Sequence, residues 1–224
     1  MSAAAPRIAV IDYAKGNLKS VERGLQAVGA DAWVTDDPQA IAAADALVLP
    51  GVGAFADAVA SMEETGQKEA IADALAAGTP FLGICLGVQL LFSDGTEGAP
   101  AGGPLPRGLG LVPGTVDRMP RTDAQGHRYK VPHVGWNSIE FDSGHAAGCP
   151  LLAGVKPGEY FYFTHSYIAP DNPYTVATTT HSVTFPSVIQ VSPTVFGVQF
   201  HPEKSSEAGA RIMANFLAVV QQRR

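Results

Sequence analysis

Apolar segments without polar interruption alternate with amphipathic segments over the first 92 residues of the chain. Apolar side chains at positions 18, 21, 25 and 28 recur at spacings of three and four, the period of one helix face. Uninterrupted apolar strands are typical of a parallel sheet that helices cover on both sides. The pattern predicts strands at 7–11, 32–35, 46–49 and 81–84, and helices at 17–28, after Pro38, and at 55–62, 67–77 and 86–92.

The pattern changes after Thr96. Residues 98–114 are rich in Gly and Pro and predict a surface loop. The short apolar segments that follow are bounded by Pro or Gly, which favours antiparallel pairing at a sheet edge. They predict strands at 137–141, 160–164, 175–180, 187–191 and 195–200, before a last helix at 206–221. We predict one α/β domain over residues 1–224, with a largely parallel central sheet, helices on both faces and antiparallel edge strands.

Composition narrows the possible ligands. Apolar residues make up 46% of the chain and charged residues 16%, below the roughly 25% of ordinary soluble domains, which indicates extensive burial or a face covered by a partner. The net charge of −6 counts against nucleic acid and anionic membranes as ligands. No apolar run approaches the ~18 residues of a membrane span. Met1 to Arg7 lead directly into the first strand without a signal peptide, so we predict a cytoplasmic location.

Cys85 stands in the sequence Gly-Ile-Cys-Leu-Gly (residues 83–87), where a predicted buried strand turns into a predicted helix. This is the arrangement of the G-x-S-x-G nucleophile elbow with sulfur in place of oxygen. Glycines two residues before and after the nucleophile remove Cβ atoms that would clash in so tight a turn, and a helix N-terminus favours the thiolate. The alternative is a buried cysteine that acts as a small hydrophobic residue. The two glycines favour the nucleophile.

A thiolate nucleophile needs a base and a group that orients the base. His201 and Glu203 follow the predicted strand at 195–200, and residues two apart in an extended chain point the same way, so the carboxylate can reach the imidazole. Taken alone, the segment also fits a strand-end histidine and a solvated carboxylate. Together with the nucleophile elbow, it predicts a triad of Cys85, His201 and Glu203.

The segment Pro50-Gly51-Val52-Gly53 follows the third predicted strand. Its glycines allow backbone N–H groups to turn toward the site and stabilise a tetrahedral oxyanion. Residues 51–56 also match the loose dinucleotide pattern G-x-G-x-x-G/A, but that pattern belongs after the first strand of its βαβ unit, with an acidic residue at the end of the next strand. The corresponding position here falls in a helix near Asp73. We therefore predict an oxyanion loop and no bound dinucleotide.

No metal and no other cofactor is predicted. His145 and Cys149 are four residues apart, but they lie in a Gly-rich stretch without two further ligands at zinc spacing. Cys149 is therefore interpreted as a passive thiol. The sequence contains no P-loop, which argues against nucleotide hydrolysis by this chain.

Three segments together resemble a known family. Residues 50–53, 83–89 and 197–205 are similar to the three signatures of triad-type (class I) glutamine amidotransferases, and the resemblance covers nearly the whole chain. Residues 12–13, 16–18 and 132–137 (Pro-His-Val-Gly-Trp-Asn) are similar to the histidine-biosynthesis branch of that family, the glutaminase subunits of imidazole glycerol phosphate synthase. The family implies a flavodoxin-like fold.

The resemblance also implies how the site would act. Cys85 would attack the side-chain carboxamide of L-glutamine, with His201 as the base and Glu203 as the group that orients the imidazolium. The implied oxyanion donors are backbone N–H groups of Gly51, Val52, Gly53 and Leu86. The implied substrate-binding residues are Gln89, Glu97, His165, Ser166 and Tyr167.

A partner is implied as well. In this family ammonia passes to a separate (β/α)8-barrel cyclase subunit, with which the glutaminase forms a heterodimer. The cyclase makes imidazole glycerol phosphate and aminoimidazole carboxamide ribonucleotide. The implied interface residues are Asn17, Trp136, Asn137, Tyr162 and Lys204. Trp136 also fits a plain core aromatic residue, and Ala14 and Lys15 stand where relatives often carry glycine, which leaves the shape of that turn open.

Other functions stay open on the sequence alone. A glutaminase subunit that serves pyridoxal phosphate, purine, anthranilate or folate synthesis would share the triad, and residues 50–53 discriminate against the pyridoxal type, which carries a different Gly-rich segment there. The complete triad argues against a non-catalytic regulatory subunit. Cysteine peptidases and thiol-stress proteins with a similar elbow commonly have their histidine near the elbow rather than after the last strand.

Overall fold

The computed structural model describes residues 5–14, 16–142 and 148–223, so Lys15 and His145 lie outside the described residues. The strands are β1 (Arg7–Ile11), β2 (Asp31–Thr35), β3 (Ala46–Gly51), β4 (Phe81–Cys85), β5 (Phe92–Gly95), β6 (Val112–Arg118), β7 (His133–Ser138), β8 (Tyr160–His165), β9 (Tyr167–Ile168), β10 (Thr175–Thr180), β11 (Thr184–Gln190) and β12 (Val195–Val198). The α-helices are α1 (Leu18–Ala27), α2 (Pro38–Ala42), α3 (Phe55–Glu64), α4 (Gln67–Ala76), α5 (Leu86–Gln89) and α6 (Ser206–Arg223).

The central sheet has seven strands in the order β10-β11-β12-β4-β3-β1-β2. Strands β2, β1, β3, β4 and β12 are parallel to one another, and β11 and β10 extend the sheet by antiparallel pairing. The parallel part has the order of a flavodoxin-like sheet, in which ligands bind beyond the carboxyl ends of the strands. The predicted fold class is confirmed.

Both faces of the sheet are buried, as β1 illustrates. Ile8 and Val10 pack in a cluster with α1 and α6, whereas Ala9 and Ile11 pack in a second cluster with α2, α3 and α4. Successive side chains of a strand point to opposite faces, so a strand that is buried on both faces must be apolar throughout. This is the physical reason for the uninterrupted apolar strands.

The helix predicted at 86–92 is wrong beyond its first turn. Helix α5 ends at Gln89, and Phe92 begins β5, which pairs in parallel with β6. Phe92 is fully buried, and Gly108 packs so closely on this segment that a Cβ atom there would overlap the carbonyl oxygen of Phe92. The chain between β5 and β6 therefore packs onto the segment that follows Cys85. That contact between distant residues ends the helix.

Strands β10 and β11 form the antiparallel hairpin predicted at the sheet edge, but β7 and β8 form a separate two-stranded sheet. Strand β7 begins at His133, four residues before the predicted start at 137. Its register places His133 opposite His165 and Trp136 opposite Tyr162. One of these pairs is buried and the other lies at the surface.

Helix α6 closes one face of the sheet. Its buried residues include Ile212 and Phe216, and Arg223 donates a hydrogen bond to the carbonyl oxygen of Ala77 at the end of α4. None of the helices in the described part of the chain combines the length and the hydropathy that crossing a membrane requires.

Candidate active site

Cys85 is the last residue of β4 and directly precedes α5, with φ of 55° and ψ of −105°. A non-glycine residue in this region is strained by about 1–3 kcal/mol and is held there by its surroundings. A Cβ atom on Gly83 would lie 2.5 Å from the carbonyl oxygen of Gly87, and one on Gly87 would overlap the carbonyl oxygen of Leu49. The two glycines therefore permit the sharp turn that the sequence pattern predicted.

His201 follows β12 at the start of a 3-10 turn, Pro202–Lys204. Its Nδ1 lies 2.9 Å from Oε1 of Glu203, and the two side chains are only 2% and 1% exposed. The backbone N–H of His201 donates to the carbonyl oxygen of Tyr162 at 2.8 Å, and Ser205 Oγ donates to the carbonyl oxygen of His201 at 2.7 Å. The backbone of His201 is thus held by one hydrogen bond to β8 and by another from Ser205, the residue after the turn.

The charge state of His201 follows from its neighbours. Burial lowers the pKa of His201, but Cys85 and Glu203 outweigh burial and raise the pKa from 6.5 to about 10. Because Nδ1 faces the carboxylate, Nε2 is the nitrogen left for proton exchange, and this atom is buried with no hydrogen-bond partner among the described residues. The arrangement favours the imidazolium form of His201.

A cavity of about 380 Å³ lies against Cys85, within the size range of small-molecule sites. Most of the residues proposed from sequence to hold glutamine or its oxyanion line this cavity: Val52, Gly53, Leu86, Gln89, Glu97, His165, Ser166 and Tyr167. His201 and Glu203 are buried and are not part of the lining. The carboxyl ends of β3, β4 and β12 thus bring together residues that are more than 100 positions apart in the chain.

The predicted oxyanion loop begins at Gly51, which is the register partner of Cys85 at the ends of β3 and β4. A Cβ atom on Gly51 would overlap the hydroxyl of Tyr13. That hydroxyl is buried and has no hydrogen-bond partner among the described residues, and burial raises the pKa of Tyr13. Beyond it, Gly53 has φ of 102°, a conformation that favours glycine, and Val52 is 40% exposed.

Glu97 lines the same cavity as Cys85. Partial burial raises the pKa of its carboxyl group, and a hydrogen bond from the backbone N–H of Phe55 opposes that effect. A partly desolvated carboxylate at a cavity wall is suited to pair with a cationic amino group. The role of Glu97 in holding the substrate stays a prediction.

Two buried glutamine side chains connect the cavity to the sulfur atom. Gln89 Nε2 donates to the carbonyl oxygen of Tyr167 at 2.9 Å and to Oε1 of Gln199 at 3.0 Å. Gln199 Nε2 in turn donates to Sγ of Cys85 at 3.5 Å. Both N–H groups of Gln89 are used in this way, so only its Oε1 is available to a ligand, as an acceptor.

A second polar chain runs from β7 to the same carbonyl oxygen. His165 Nδ1 lies 2.9 Å from the carbonyl oxygen of Tyr167, and its Nε2 lies 3.1 Å from Nδ1 of His133, whose Nε2 is 3.3 Å from Nδ2 of Asn137. A carbonyl only accepts, so neutral imidazoles here donate from Nδ1 and accept at Nε2. Burial lowers the pKa of His165 to about 3 and that of His133 to about 4.

The predicted interface residues Trp136, Tyr162 and Lys204 form one surface cluster next to the triad. The Trp136 and Tyr162 rings meet edge to face with centroids 6.2 Å apart, and Lys204 Nζ is 5.7 Å from the Tyr162 centroid. Trp136 is 51% exposed, so its interpretation as a core aromatic residue is wrong. Val134 and Tyr160 enlarge the apolar surface, at 57% and 59% exposed.

The other two predicted interface residues have contacts inside the chain. Asn17 Nδ2 lies 3.4 Å from Oε1 of Glu203, so this side chain reaches the triad. Asn137 Nδ2 donates to the carbonyl oxygen of Thr180 at 3.0 Å in addition to its contact with His133. Residues 136 and 137 point to opposite sides of β7, so the exposure of the first places the second inward.

Cys149 packs in the hydrophobic core at 4% exposure, and burial raises the pKa of its thiol. Both cysteines are free. Within the described residues, no group of three or more His, Cys, Asp and Glu side chains is arranged to hold a metal ion.

Three residues that contact the site lie in the segments that resemble the family, but the sequence analysis gave them no individual role: Gln199, His133 and Tyr13. Gln199 had a usable signal, because it lies two positions before His201 and therefore points to the same side of an extended chain. The periodicity around His133 and Tyr13 gave no such signal, since their partners come from other parts of the chain.

Comparison with known proteins agrees with this geometry. The sequence profile of the family described as "Glutamine amidotransferase class-I" matches residues 9–220. The chain is 42% identical to the imidazole glycerol phosphate synthase subunit HisH of Geobacillus sp. (strain WCH70), over 96% of this chain and 97% of that relative. It is 45% identical to the subunit HisH of Methanothermobacter thermautotrophicus, over 96% and 99% of the two chains.

A crystal structure of a glutamine amidotransferase has a TM-score of 0.68 at 18% identity, over 95% of this chain and 98% of that one, and supports the fold. The chain therefore belongs to the class-I glutamine amidotransferases and, within them, to the family of imidazole glycerol phosphate synthase HisH subunits.

Proposed function

We propose that the chain is the glutaminase subunit of imidazole glycerol phosphate synthase. It hydrolyses L-glutamine to glutamate and ammonia with a Cys85–His201–Glu203 triad, and it delivers the ammonia to a cyclase subunit. The observation that carries the proposal is the buried 2.9 Å contact between His201 and Glu203, next to a strained cysteine that faces a small cavity.

The reaction proceeds through a thioester. The Cys85 thiolate attacks the side-chain amide carbon of glutamine and forms a C–S bond, which moves negative charge onto the amide oxygen. The His201 imidazolium donates its Nε2 proton to the amide nitrogen, the C–N bond breaks and ammonia leaves. Water then attacks the thioester carbon and loses a proton to Nε2, and the C–S bond breaks to release glutamate and the thiolate.

Residues around the cavity stabilise the oxyanion and bind the substrate. The backbone N–H groups of residues 51–53 and of Leu86 stabilise the oxyanion. Val52, Gly53 and Leu86 border the cavity beside the nucleophile, and Gly51 is the register partner of Cys85. Oε1 of Gln89 accepts from the substrate, and the carboxylate of Glu97 pairs with its amino group. Residues 165–167 also line the cavity, with His165 kept neutral by burial.

The surface cluster of Trp136, Tyr162 and Lys204 meets the (β/α)8 cyclase subunit in a heterodimer. Its position supports this role, since Tyr162 also holds the backbone of His201 and Lys204 directly follows Glu203. Delivery of ammonia at this face lets the cyclase make imidazole glycerol phosphate and aminoimidazole carboxamide ribonucleotide. The relatives named as HisH subunits favour this branch over glutaminases of other pathways.

The chain acts as a single glutamine amidotransferase domain over residues 1–224, located in the cytoplasm. Two core clusters that share one central sheet support a single domain. Two free buried cysteines and relatives named for a biosynthetic enzyme support a reducing cytoplasm.

The test is Cys85→Ala in the complex with the cyclase subunit. Glutamine-dependent product formation is expected to fall to background, whereas synthesis from added ammonium salt continues at the wild-type rate because the cyclase is intact. Cys149→Ala is the matched control and is expected to keep both activities. Glutamine-dependent synthesis by the Cys85→Ala complex would contradict the nucleophile assignment.

A further inference from the structure

We propose that Gln199 is a catalytic hydrogen-bond donor that holds the sulfur of Cys85 in its reactive thiolate form. The inference rests on the proposed function, in which Cys85 is the nucleophile. It assigns to Gln199 a contact with the reacting atom itself rather than with the substrate.

Gln199 is placed rigidly. It lies directly after β12, is 1% exposed, and its backbone N–H donates to the carbonyl oxygen of Ser187 in β11 at 2.9 Å. Its side chain touches the sulfur at 3.5 Å, measured from Nε2 to Sγ. Two positions on, His201 reaches the same region from the same side of the chain. The imidazolium of His201 and the amide donor of Gln199 therefore both face one sulfur atom.

The orientation of the Gln199 amide follows from its neighbours. The carbonyl oxygen of Tyr167 accepts only, so the group of Gln89 that faces it must be Nε2. The same Nε2 faces Oε1 of Gln199 at 3.0 Å. A flipped Gln199 would bring two N–H donors together and would place an oxygen against the sulfur. The Gln89 contact thus directs Nε2 of Gln199 toward Cys85.

The two polar neighbours of the sulfur favour different protonation states. The carbonyl oxygen of Thr164, 3.8 Å from Sγ, can only accept, so it interacts favourably with the thiol and unfavourably with the thiolate. Gln199 Nε2 donates, and hydrogen bonds to an ionised partner are about twice as strong as those between neutral groups. Cys85 itself is 5% exposed, so water contributes little to stabilising the anion. The Gln199 donor offsets part of that missing solvation.

The test is the pH profile of Cys85 alkylation by iodoacetamide, followed by mass spectrometry in the full chain bound to its cyclase subunit. Gln199→Leu removes the donor at similar volume. The midpoint of the profile is expected to move to higher pH by about one unit, which corresponds to one charge-assisted hydrogen bond. The midpoint is the readout because the intrinsic nucleophilicity of a thiolate rises as it becomes more basic and partly compensates the rate. An unchanged midpoint would overturn the proposal.

Two further variants keep the result interpretable. Gln199→Glu keeps an acceptor for Gln89 but directs an oxygen at the sulfur, so its midpoint is expected to move at least as far as that of Gln199→Leu. Ser187→Ala removes a buried hydroxyl that has no hydrogen-bond partner among the described residues, in the adjacent strand, and is expected to leave the midpoint in place. Ammonia-dependent synthesis by each complex reports that the subunits are folded and assembled.

Steady-state kinetics with glutamine test this inference separately from the proposed function. For Gln199→Leu we expect glutamine kcat to fall about tenfold at neutral pH and to recover at higher pH, with KM nearly unchanged. A uniform loss at all pH values would indicate a merely structural role for Gln199 and would count against the proposal. The Cys85→Ala variant decides the nucleophile assignment independently of either outcome.

Discussion

Nδ1 of His201 lies 2.9 Å from Oε1 of Glu203, and the two side chains are almost completely buried. The contact fixes which ring nitrogen carries the shared proton and leaves Nε2 to exchange a proton with the substrate. Asn17, which directly precedes α1, contacts the same carboxylate oxygen at 3.4 Å. Glu203 of the proposed triad is therefore held by two side chains.

Glu203→Gln is expected to lower glutamine-dependent turnover by about a hundredfold or more, because the neutral amide no longer stabilises the imidazolium. Steady-state assays of the complex, with glutamine and separately with ammonium salt, measure the effect. Glu159→Gln removes a partly exposed partner of Arg211 and serves as the control. Equal losses with both nitrogen sources would point to a folding defect instead.

The neutral His165 makes the protein sensitive to acid. Its pKa is lowered to about 3 by burial, so between pH 6.5 and 3 the unfolded chain binds a proton that the folded chain does not. The free energy of unfolding therefore decreases as pH falls through this window, by up to roughly 1.4 kcal/mol per pH unit from this group.

Urea unfolding at several pH values between 7 and 5 tests this dependence. His165→Phe is expected to flatten the decrease, whereas His127→Gln, at an exposed histidine, keeps the wild-type slope. The slope is the readout, since His165→Phe also removes a partner of His133 and lowers stability at neutral pH. A wild-type slope in His165→Phe would contradict the assignment.

Gly87→Ala is expected to destabilise the fold by about 2 kcal/mol or more, because its Cβ would overlap the carbonyl oxygen of Leu49 in the central sheet. Gly148→Ala is the matched control, since a Cβ there meets nothing within 4 Å. Thermal unfolding compares the two. An unfolding temperature of Gly87→Ala equal to that of the wild type would contradict the predicted clash.

Trp136→Ala is expected to weaken binding to the cyclase subunit by about 30-fold, the effect of removing a central aromatic hot spot. Its own fold should be nearly unchanged, because half of the side chain is exposed. Leu105→Ala, at an exposed apolar residue outside this cluster, is the control. Titration calorimetry with the purified cyclase measures the affinity of both variants. Equal affinities of Trp136→Ala and Leu105→Ala would show that the surface cluster is not part of the interface.

Local chemistry in the sequence was enough to predict the nucleophile elbow and the pairing of the base His201 with Glu203. Cys85 needs glycines on both sides within two residues, and His201 and Glu203 need only the two-residue period of extended chain. The parallel sheet could also be predicted from the sequence, because strands buried on both faces must be apolar at every position. These features depend on neighbours in the chain.

Features that depend on distant neighbours were decided only by the tertiary structure. The segment around Gly108 packs against the residues that follow helix α5, which ends after one turn. Trp136 is exposed because β7 pairs with β8 outside the central sheet. The donor of Gln199 meets the sulfur because parallel pairing sets β12 beside β4. Hydrogen-bond partners across strands depend on register, which single-chain periodicity does not encode. The sequence thus determined which chemistry the chain carries, and the fold decided which side chains surround it.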